Sequence, residues 1–212
     1  MAVDQNTFFQ WYNFEATPDD IALYERVDGY GNLFEDMLFK RGTSSYGLTK
    51  YQVKNADGTW SEEGGYLPEE LLYFDYSGFI YKAEELDNYS GVFNQEDQIL
   101  CTSPNAEDST VLHEMIHLHE FVINELPMYW HDMLYWALYK DLRNKISKLD
   151  EIITKHAHVF NESDLYEEGG LHDILFLLKS FDLDIRMGYP LGTVFGYGRI
   201  DIFKKYIYVK EQ

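Results

Sequence analysis

The sequence predicts an α+β fold in which an antiparallel sheet precedes several long helices. First, residues 46–101 contain short runs of β-branched and aromatic side chains that are separated by turn residues. Second, residues 134–153 and 174–185 carry apolar side chains every three or four positions, which is the spacing of one helix face. Third, a hydrophobic content of 45% in 212 residues is enough for one substantial core. We therefore expect residues 1–212 to form a single domain.

The amino-terminal part, residues 1–89, is predicted to hold two short helices and several strands. Thr17 is a good N-cap, and Pro18 suits the first helical position, so a helix is expected from here through Arg26. A second short helix is expected at Leu33–Arg41, where Gly42 ends it. The sequence does not indicate what this part of the chain does.

Short strands are predicted on both sides of two turn signals, Asp57-Gly58 and Ser77-Gly78. The predicted strands are Leu48–Val53, a return strand from Thr59, Leu71–Phe74, Phe79–Tyr81, Val92-Phe93 and Gln98–Cys101. The simplest assembly of these segments is an antiparallel sheet with helices before and after it.

Three longer helices are expected after the strands. The first begins between Ser103 and Asn105 and runs to about Leu126, and the second runs from Pro127 to about Thr154. A loop is expected over residues 160–170, followed by a last helix at Leu171–Met187 that Gly188 ends. Residues 194–195 and 200–209 are predicted to be extended.

The most informative motif is His113-Glu114-Met115-Ile116-His117, which lies within the first of these long helices. Residues four apart lie on the same helix face, so His113 and His117 can both bind one metal ion, with Glu114 beside the bound water. Zinc hydrolases use this arrangement, with the glutamate as general base. Two histidines and a glutamate on a largely apolar helix are costly to bury without a partner, which favours a metal over a purely structural role.

A catalytic zinc ion usually has three protein ligands, and the residues alone leave the third one open. His131 lies one turn into the second helix, on the face of its apolar stripe, and reaches the metal only if residues 121–128 bend back. Glu120 shares the face of His113, but one straight helix does not easily place three ligands around an ion. The other candidates are His119, His156 and His158 and, for a gluzincin-type site completed by a later helix, Glu151, Glu162 and Glu167.

The motif and its surroundings resemble the SprT-like metallopeptidase domain. The likeness consists of Leu112 before the motif, thirteen residues between His117 and His131, and the aromatic pair Tyr135-Trp136 shortly after, and it covers about residues 90–148. It implies a zincin-like fold, Zn²⁺ bound by His113, His117 and His131, and peptide-bond hydrolysis by a zinc-activated water with Glu114 as general base. Within the single domain we expect an amino-terminal part at residues 1–89, a metal-binding core at 90–156, and a carboxy-terminal helix and strands at 157–212.

The chain departs from that family in two ways. Asp132 follows the third histidine where the family usually has glycine, and Cys101 is the only cysteine, which excludes a cysteine-rich zinc ribbon and an intramolecular disulfide. Further residues are candidates for supporting roles. Tyr189, Tyr197, Arg199 and His172 are candidate oxyanion donors, and Asp132, Glu120 and Glu125 are candidates for orienting the ligand imidazoles.

Charge and composition limit the partners. The formal charge of −20 disfavours the nucleic-acid partner that the family resemblance implies, because such binding usually rests on clusters of Lys and Arg. No leader-like segment and no apolar run of about 18 residues is visible, so we expect a cytoplasmic protein without a membrane partner. The expected substrate is a protein or peptide. The alternatives are a gluzincin-type peptidase and a non-catalytic, zinc-bearing module that binds proteins.

Overall fold

The computed structural model describes residues 16–37, 50–51, 65–66, 78–87, 89–124, 128–161, 172–196 and 203. The helices are α1 (Pro18–Asp36), α2 (Asp108–Asn124), α3 (Met128–Arg143), α4 (Leu149–Asn161) and α5 (Ile174–Met187). The strands are β1 (Lys50–Tyr51), β2 (Gly65–Tyr66), β3 (Ile80–Ala83), β4 (Gly91–Asn94) and β5 (Ile99–Thr102). The α+β class is confirmed. Within the described ranges, no helix has the length and apolar character needed to cross a membrane.

The main sheet has three strands in the order β3-β5-β4 and is mixed rather than wholly antiparallel. β4 pairs antiparallel with β5, whereas β3 pairs parallel with β5, with Ile80 opposite Ile99. The prediction of an antiparallel sheet is therefore wrong for the β3–β5 pair. The chain reverses once between β3 and β4 and again in the turn at residues 95–98, so β5 runs in the same direction as β3. Strands β1 and β2 form a separate antiparallel pair.

Helix α1 begins where the sequence predicts, at a capping box formed by Thr17 and Asp20. The Asp20 carboxylate accepts from the Thr17 backbone N–H at 2.7 Å, and the Asp20 N–H donates to Thr17 Oγ1 at 3.2 Å. The helix then continues through Asp36, so the separate helix predicted from Leu33 is part of it. Burial of its apolar face outweighs the cost of about 1 kcal/mol for each internal glycine.

Two contacts connect α1 to the sheet and to helix α2. Asp20 Oδ1 accepts from the Ala83 N–H of β3 at 2.7 Å. Arg26 donates to Oδ1 of Asp108 at 2.6 Å and to the Ala106 carbonyl at 2.8 Å. Asp108 is the first residue of α2. These bonds hold the start of the motif helix against both the sheet and α1.

Helix α2 lies at the centre of the core, between the sheet, α1 and α5. Its apolar face is completely buried, as the sequence predicts; the residues with no exposed surface are Val111, Leu112, Met115, Ile116 and Leu118. Each such side chain contributes roughly 1.5–3 kcal/mol of hydrophobic stabilisation. The motif is therefore carried by a closely packed helix.

The second long helix that the sequence predicts is two helices, α3 and α4. They are separated by residues 144–148, and Lys148 has a positive φ of 59°. Ile146, Leu149 and Ile152 on both sides of the break remain buried, which explains why the apolar spacing continues through it. Neither a glycine nor a proline marks this break in the sequence.

Helix α5 confirms the predicted last helix, with Asp173 as N-cap and Gly188 as left-handed C-cap at φ 73°. The prediction that residues 194–195 are extended is wrong, because residues 191–195 form turns. The strand predicted at 71–74, the Asp57-Gly58 turn and most of the loop and carboxy-terminal strand predictions lie outside the described residues.

Candidate metal centre

Three histidine side chains converge at one point between helices α2 and α5. His113 and His117 lie one turn apart on α2, and His172 lies immediately before the N-cap of α5. Nε2 of His172 is 3.0 Å from Nε2 of His113 and 3.1 Å from Nε2 of His117. Ligand atoms of all three residues lie within 4.8 Å of one another. The motif pair predicted from the sequence is thus brought together with a third imidazole.

His131, which the family resemblance implies as the third ligand, does not belong to this cluster. Its Nε2 lies 3.1 Å from the carbonyl oxygen of Ile123, in the last turn of α2. Ile123 is six residues beyond His117, which corresponds to about 9 Å along a helix axis. His131 thus lies against the end of the motif helix. Among the described residues, the third imidazole beside His113 and His117 is that of His172 rather than that of His131.

No local pattern in the sequence identifies His172 as a ligand. It lies 55 residues after His117, beyond two further helices, and sequence reasoning marks it only as a candidate oxyanion donor. The one usable signal is its position before Asp173, whose side chain accepts from the Phe176 N–H at 2.8 Å and begins α5. An N-cap fixes the chain at this residue, so the imidazole that precedes it is held at a defined place.

The backbone around residue 194 sets the orientation of the His113 ring. Nδ1 of His113 lies 2.9 Å from the carbonyl oxygen of Val194, which can only accept, so the proton is on Nδ1. Burial lowers the pKa of His113, although hydrogen bonds to the Val194 and Phe195 backbone raise it. A neutral ring with its proton on Nδ1 presents the Nε2 lone pair to the centre of the cluster, as a metal ligand requires.

Two of the nitrogen separations in the cluster are suited to a bound metal ion. Nitrogen ligands at 2.0–2.1 Å from zinc lie about 3.3 Å apart, close to the two Nε2 separations of 3.0 and 3.1 Å. Burial, together with the neighbouring His113, His172 and Lys179, lowers the pKa of His117 to about 2, which keeps its imidazole neutral. The ring of Phe176 packs against all three imidazoles, with centroids 4.4–4.9 Å away. Three imidazoles, of which burial keeps those of His113 and His117 neutral, are thus held together against an apolar wall.

Glu114 lies beside this cluster and is almost completely buried, with 6% of its surface exposed. Burial raises its pKa to about 8, and a hydrogen bond from the Phe93 backbone lowers it. Gly91 of β4 makes room for this side chain. A Cβ there would lie 2.8 Å from Glu114 Cγ and 2.9 Å from Oε1, too close for any residue but glycine without a shift.

A cavity of about 350 Å³ opens onto His113 and Glu114. Its remaining wall comes from the segment around β4, the start of α2 and the turn after α5: Tyr89, Ser90, Gly91, Glu107, Ser109, Thr110, Thr193, Val194 and Gly196. The candidate base and one candidate ligand are therefore accessible to a molecule of peptide size.

The other candidates from the sequence have different surroundings. Glu120 pairs with Lys179 at 3.2 Å, and His119 is buried against Phe34. Glu151 is exposed on α4 and pairs with Lys155 and Lys148, so it is not at the cluster. Tyr189 packs against the core. Tyr197, Arg199, Glu125, Glu162 and Glu167, and the side chains of Asp132, His156 and His158, lie outside the described part of the structure.

The site thus combines three imidazoles, a buried carboxyl group and a cavity lined by His113 and Glu114. A metal ion held by three protein ligands would have a position left for water or substrate, unlike a structural site with four protein ligands. Comparisons with protein-family models, with curated proteins and with solved structures found no match, so this arrangement of side chains carries the functional assignment.

Proposed function

We propose that this protein is a zinc-dependent metallopeptidase with a zincin-like site. His113, His117 and His172 hold the metal, and Glu114 is the general base. The observation that carries the proposal is the meeting of three imidazole nitrogens beside a buried carboxyl group on the wall of an open cavity. The resemblance of residues 90–148 to SprT-like metallopeptidases supports the same reaction, with His172 in place of His131.

The donor set supports zinc. Neutral imidazoles bind zinc well, and a three-nitrogen set with an open fourth position is typical of catalytic rather than structural zinc. When bound, zinc supplies a Lewis acid that polarises a carbonyl group and makes a water molecule more acidic. The chain itself supplies the ligand geometry, and burial keeps the imidazoles of His113 and His117 neutral.

Glu114 is placed to move a proton at this site. Its carboxylate accepts from the Phe93 N–H and lies next to His113 in the sequence and at the cavity wall. In the proposed reaction, Glu114 accepts the proton of the attacking water and then delivers it to the leaving amine. Positioned acid–base groups of this kind contribute about 10²–10⁴-fold to a rate.

The edge of the sheet next to the cavity supports a peptide substrate. Among the described strands, β4 is an edge strand, and its neighbour Ser90 accepts a hydrogen bond from the Ser103 N–H at 3.0 Å. Alternate residues of an antiparallel pair point their backbone groups outward, so Gly91 and Phe93 turn theirs away from β5. The Phe93 N–H accordingly reaches Glu114. An extended peptide can add to such an edge by backbone hydrogen bonds and lie across the base.

The test is to compare His172→Ala with His131→Ala in protein purified without a histidine tag. Zinc content is measured by elemental analysis, and cleavage is followed on an unfolded protein substrate. We expect about one zinc per chain in the wild type, loss of zinc and cleavage in His172→Ala, and retention of both in His131→Ala. A wild type that binds no zinc, or a His172→Ala variant that keeps zinc and activity, would overturn the proposal.

A further inference from the structure

The turn after helix α5 is held by one buried carboxylate. Asp184, in the last turn of α5, has no exposed surface. Its Oδ2 accepts from the Gly192 N–H at 2.7 Å, and its Oδ1 accepts from the Val194 N–H at 2.9 Å. Both carboxylate oxygens are therefore used to bind the backbone of the same turn.

The same turn holds a candidate metal ligand. The Val194 N–H binds Asp184, and the Val194 carbonyl oxygen lies 2.9 Å from Nδ1 of His113. The turn is closed by a hydrogen bond from the Gly196 N–H to the Gly192 carbonyl at 3.1 Å. Gly192 has a φ of 89°, which favours glycine at this position. A continuous set of hydrogen bonds thus leads from Asp184 through Val194 to the imidazole of His113.

A carboxylate is a costly way to hold a turn inside a protein. Burial raises the pKa of Asp184 to about 7, although hydrogen bonds from the Val194, Gly192 and Thr193 backbone lower it. Leu191, Val194 and Phe195 are almost fully buried, so apolar packing already stabilises the turn. What the carboxylate adds is direction, since two charge-assisted hydrogen bonds orient the 191–192 and 193–194 peptide groups.

We infer that Asp184 is a positioning residue for the metal site, acting on His113 through the backbone of Val194. This inference rests on the proposed metal site. By holding the turn, Asp184 keeps the Val194 carbonyl against Nδ1 of His113, which fixes the ring orientation and leaves Nε2 unprotonated toward the ion. Partners that orient a ligand from outside the coordination sphere typically change metal affinity by about 10–100-fold when they are removed. Because Asp184 acts through the backbone of one further residue, we expect the lower end of that range.

The experiment compares Asp184→Asn with Asp182→Asn. Asp182 lies on the same helix and is 1% exposed, but its carboxylate pairs with Arg186 at 3.4 Å. Zinc affinity is measured by competition with a chromophoric chelator, and the His113 tautomer by ¹⁵N NMR of the metal-free protein. We expect Asp184→Asn to weaken zinc binding about tenfold and to mix the tautomers, whereas Asp182→Asn changes neither.

The outcomes separate this inference from the proposed function. If the wild type binds no zinc, the metal site itself is wrong. If the wild type binds zinc and Asp184→Asn keeps both its affinity and its Nδ1–H tautomer, Asp184 is only structural and the inference falls.

A wild-type measurement covers the case in which Asp184→Asn does not fold. Zinc should slow amide hydrogen exchange at Gly192 and Val194, because coupling between two sites is reciprocal. The Asp20 amide, held by Thr17 at the start of α1, is the control and should exchange equally with and without zinc. If zinc binds and leaves the Gly192 and Val194 amides unchanged relative to Asp20, the inference is wrong.

Discussion

Each half of helix α2 carries a glutamate, buried in the first half and half-buried in the second, and the two side chains have different partners. Glu114, in the first half, is 6% exposed, accepts from the Phe93 N–H and reaches the cavity. Glu120, in the second half, lies 3.2 Å from the ammonium group of Lys179, which has no exposed surface. Burial raises the pKa of both groups, to about 8 for Glu114 and to about 7 for Glu120. For Glu120, the positive charge of Lys179 partly offsets the effect of burial.

This comparison shows that burial of an acid does not by itself indicate catalysis. Glu114 has a neutral hydrogen-bond donor and a cavity, so its carboxyl group can exchange a proton with a bound molecule. Glu120 pairs with the ammonium group of Lys179, and this ion pair joins α2 to α5, which begins just after His172.

The largest expected effect is on catalysis by Glu114→Gln. The amide cannot accept a proton from water, so cleavage of an unfolded protein substrate should fall by about 10²–10⁴-fold while zinc content is unchanged. Glu120→Gln is the matched control on the same helix, and its cleavage rate should stay within a few-fold of the wild type. Equal losses in the two variants would remove the distinction between the two glutamates.

The next effect is on stability and concerns the Glu120–Lys179 ion pair. Lys179→Met leaves Glu120 buried without its cation, which should lower the free energy of unfolding by about 3 kcal/mol at pH 8. Lys155→Met is the control, because Lys155 and its partner Glu151 are both more than a third exposed, and such pairs contribute about 0–1 kcal/mol. Urea unfolding of the metal-free proteins measures both. A change in Lys179→Met as small as that in Lys155→Met would mean that the buried pair is not formed.

A smaller effect on catalysis is expected from Gly91→Ala. The new Cβ would lie 2.8 Å from Glu114 Cγ and 2.9 Å from Thr110 Cγ2, so Glu114 must move. A misplaced general base should lower the cleavage rate by roughly tenfold, with zinc affinity preserved because the imidazoles are untouched. Gly29→Ala is the control, since nothing lies within 4 Å of a Cβ at that position. Full activity in Gly91→Ala would show that the contact between β4 and Glu114 is not needed.

The local half of the site is predictable from the sequence, and the long-range half is not. His113, Glu114 and His117 follow from helical spacing, because residues four apart share a face. His172 depends on the path of the chain over 55 residues and on the packing of α5 against α2, which no spacing encodes. His131 has the family-like spacing, yet its ring contacts the Ile123 carbonyl at the end of α2.

The fold also has local features that the sequence predicts and long-range features that it does not. Thr17, Pro18 and Gly188 mark helix ends through their own backbone and side-chain chemistry, and the structure confirms all three. The break between α3 and α4 rests on a positive φ at Lys148, which the residue type does not signal. The parallel pairing of β3 with β5 depends on the path of the whole segment between them rather than on either strand.

The last expected effect is a pH dependence that belongs to Glu120. Folding raises its pKa from an ordinary 4.5 to about 7, because burial disfavours the carboxylate more than Lys179 favours it. Between these values the folded state binds more protons than the unfolded state, so this contribution to stability is present at low pH and is lost as the pH rises toward 7. The free energy of unfolding of the wild type, measured relative to Glu120→Gln, should therefore fall from pH 4.5 to 7 and level off above. Glu151→Gln, at an exposed pair, should give a nearly flat difference over the same range. If the Glu120 difference were also flat, or rose with pH, burial would not govern this carboxylate, and the contrast with Glu114 would have to rest on the cavity alone.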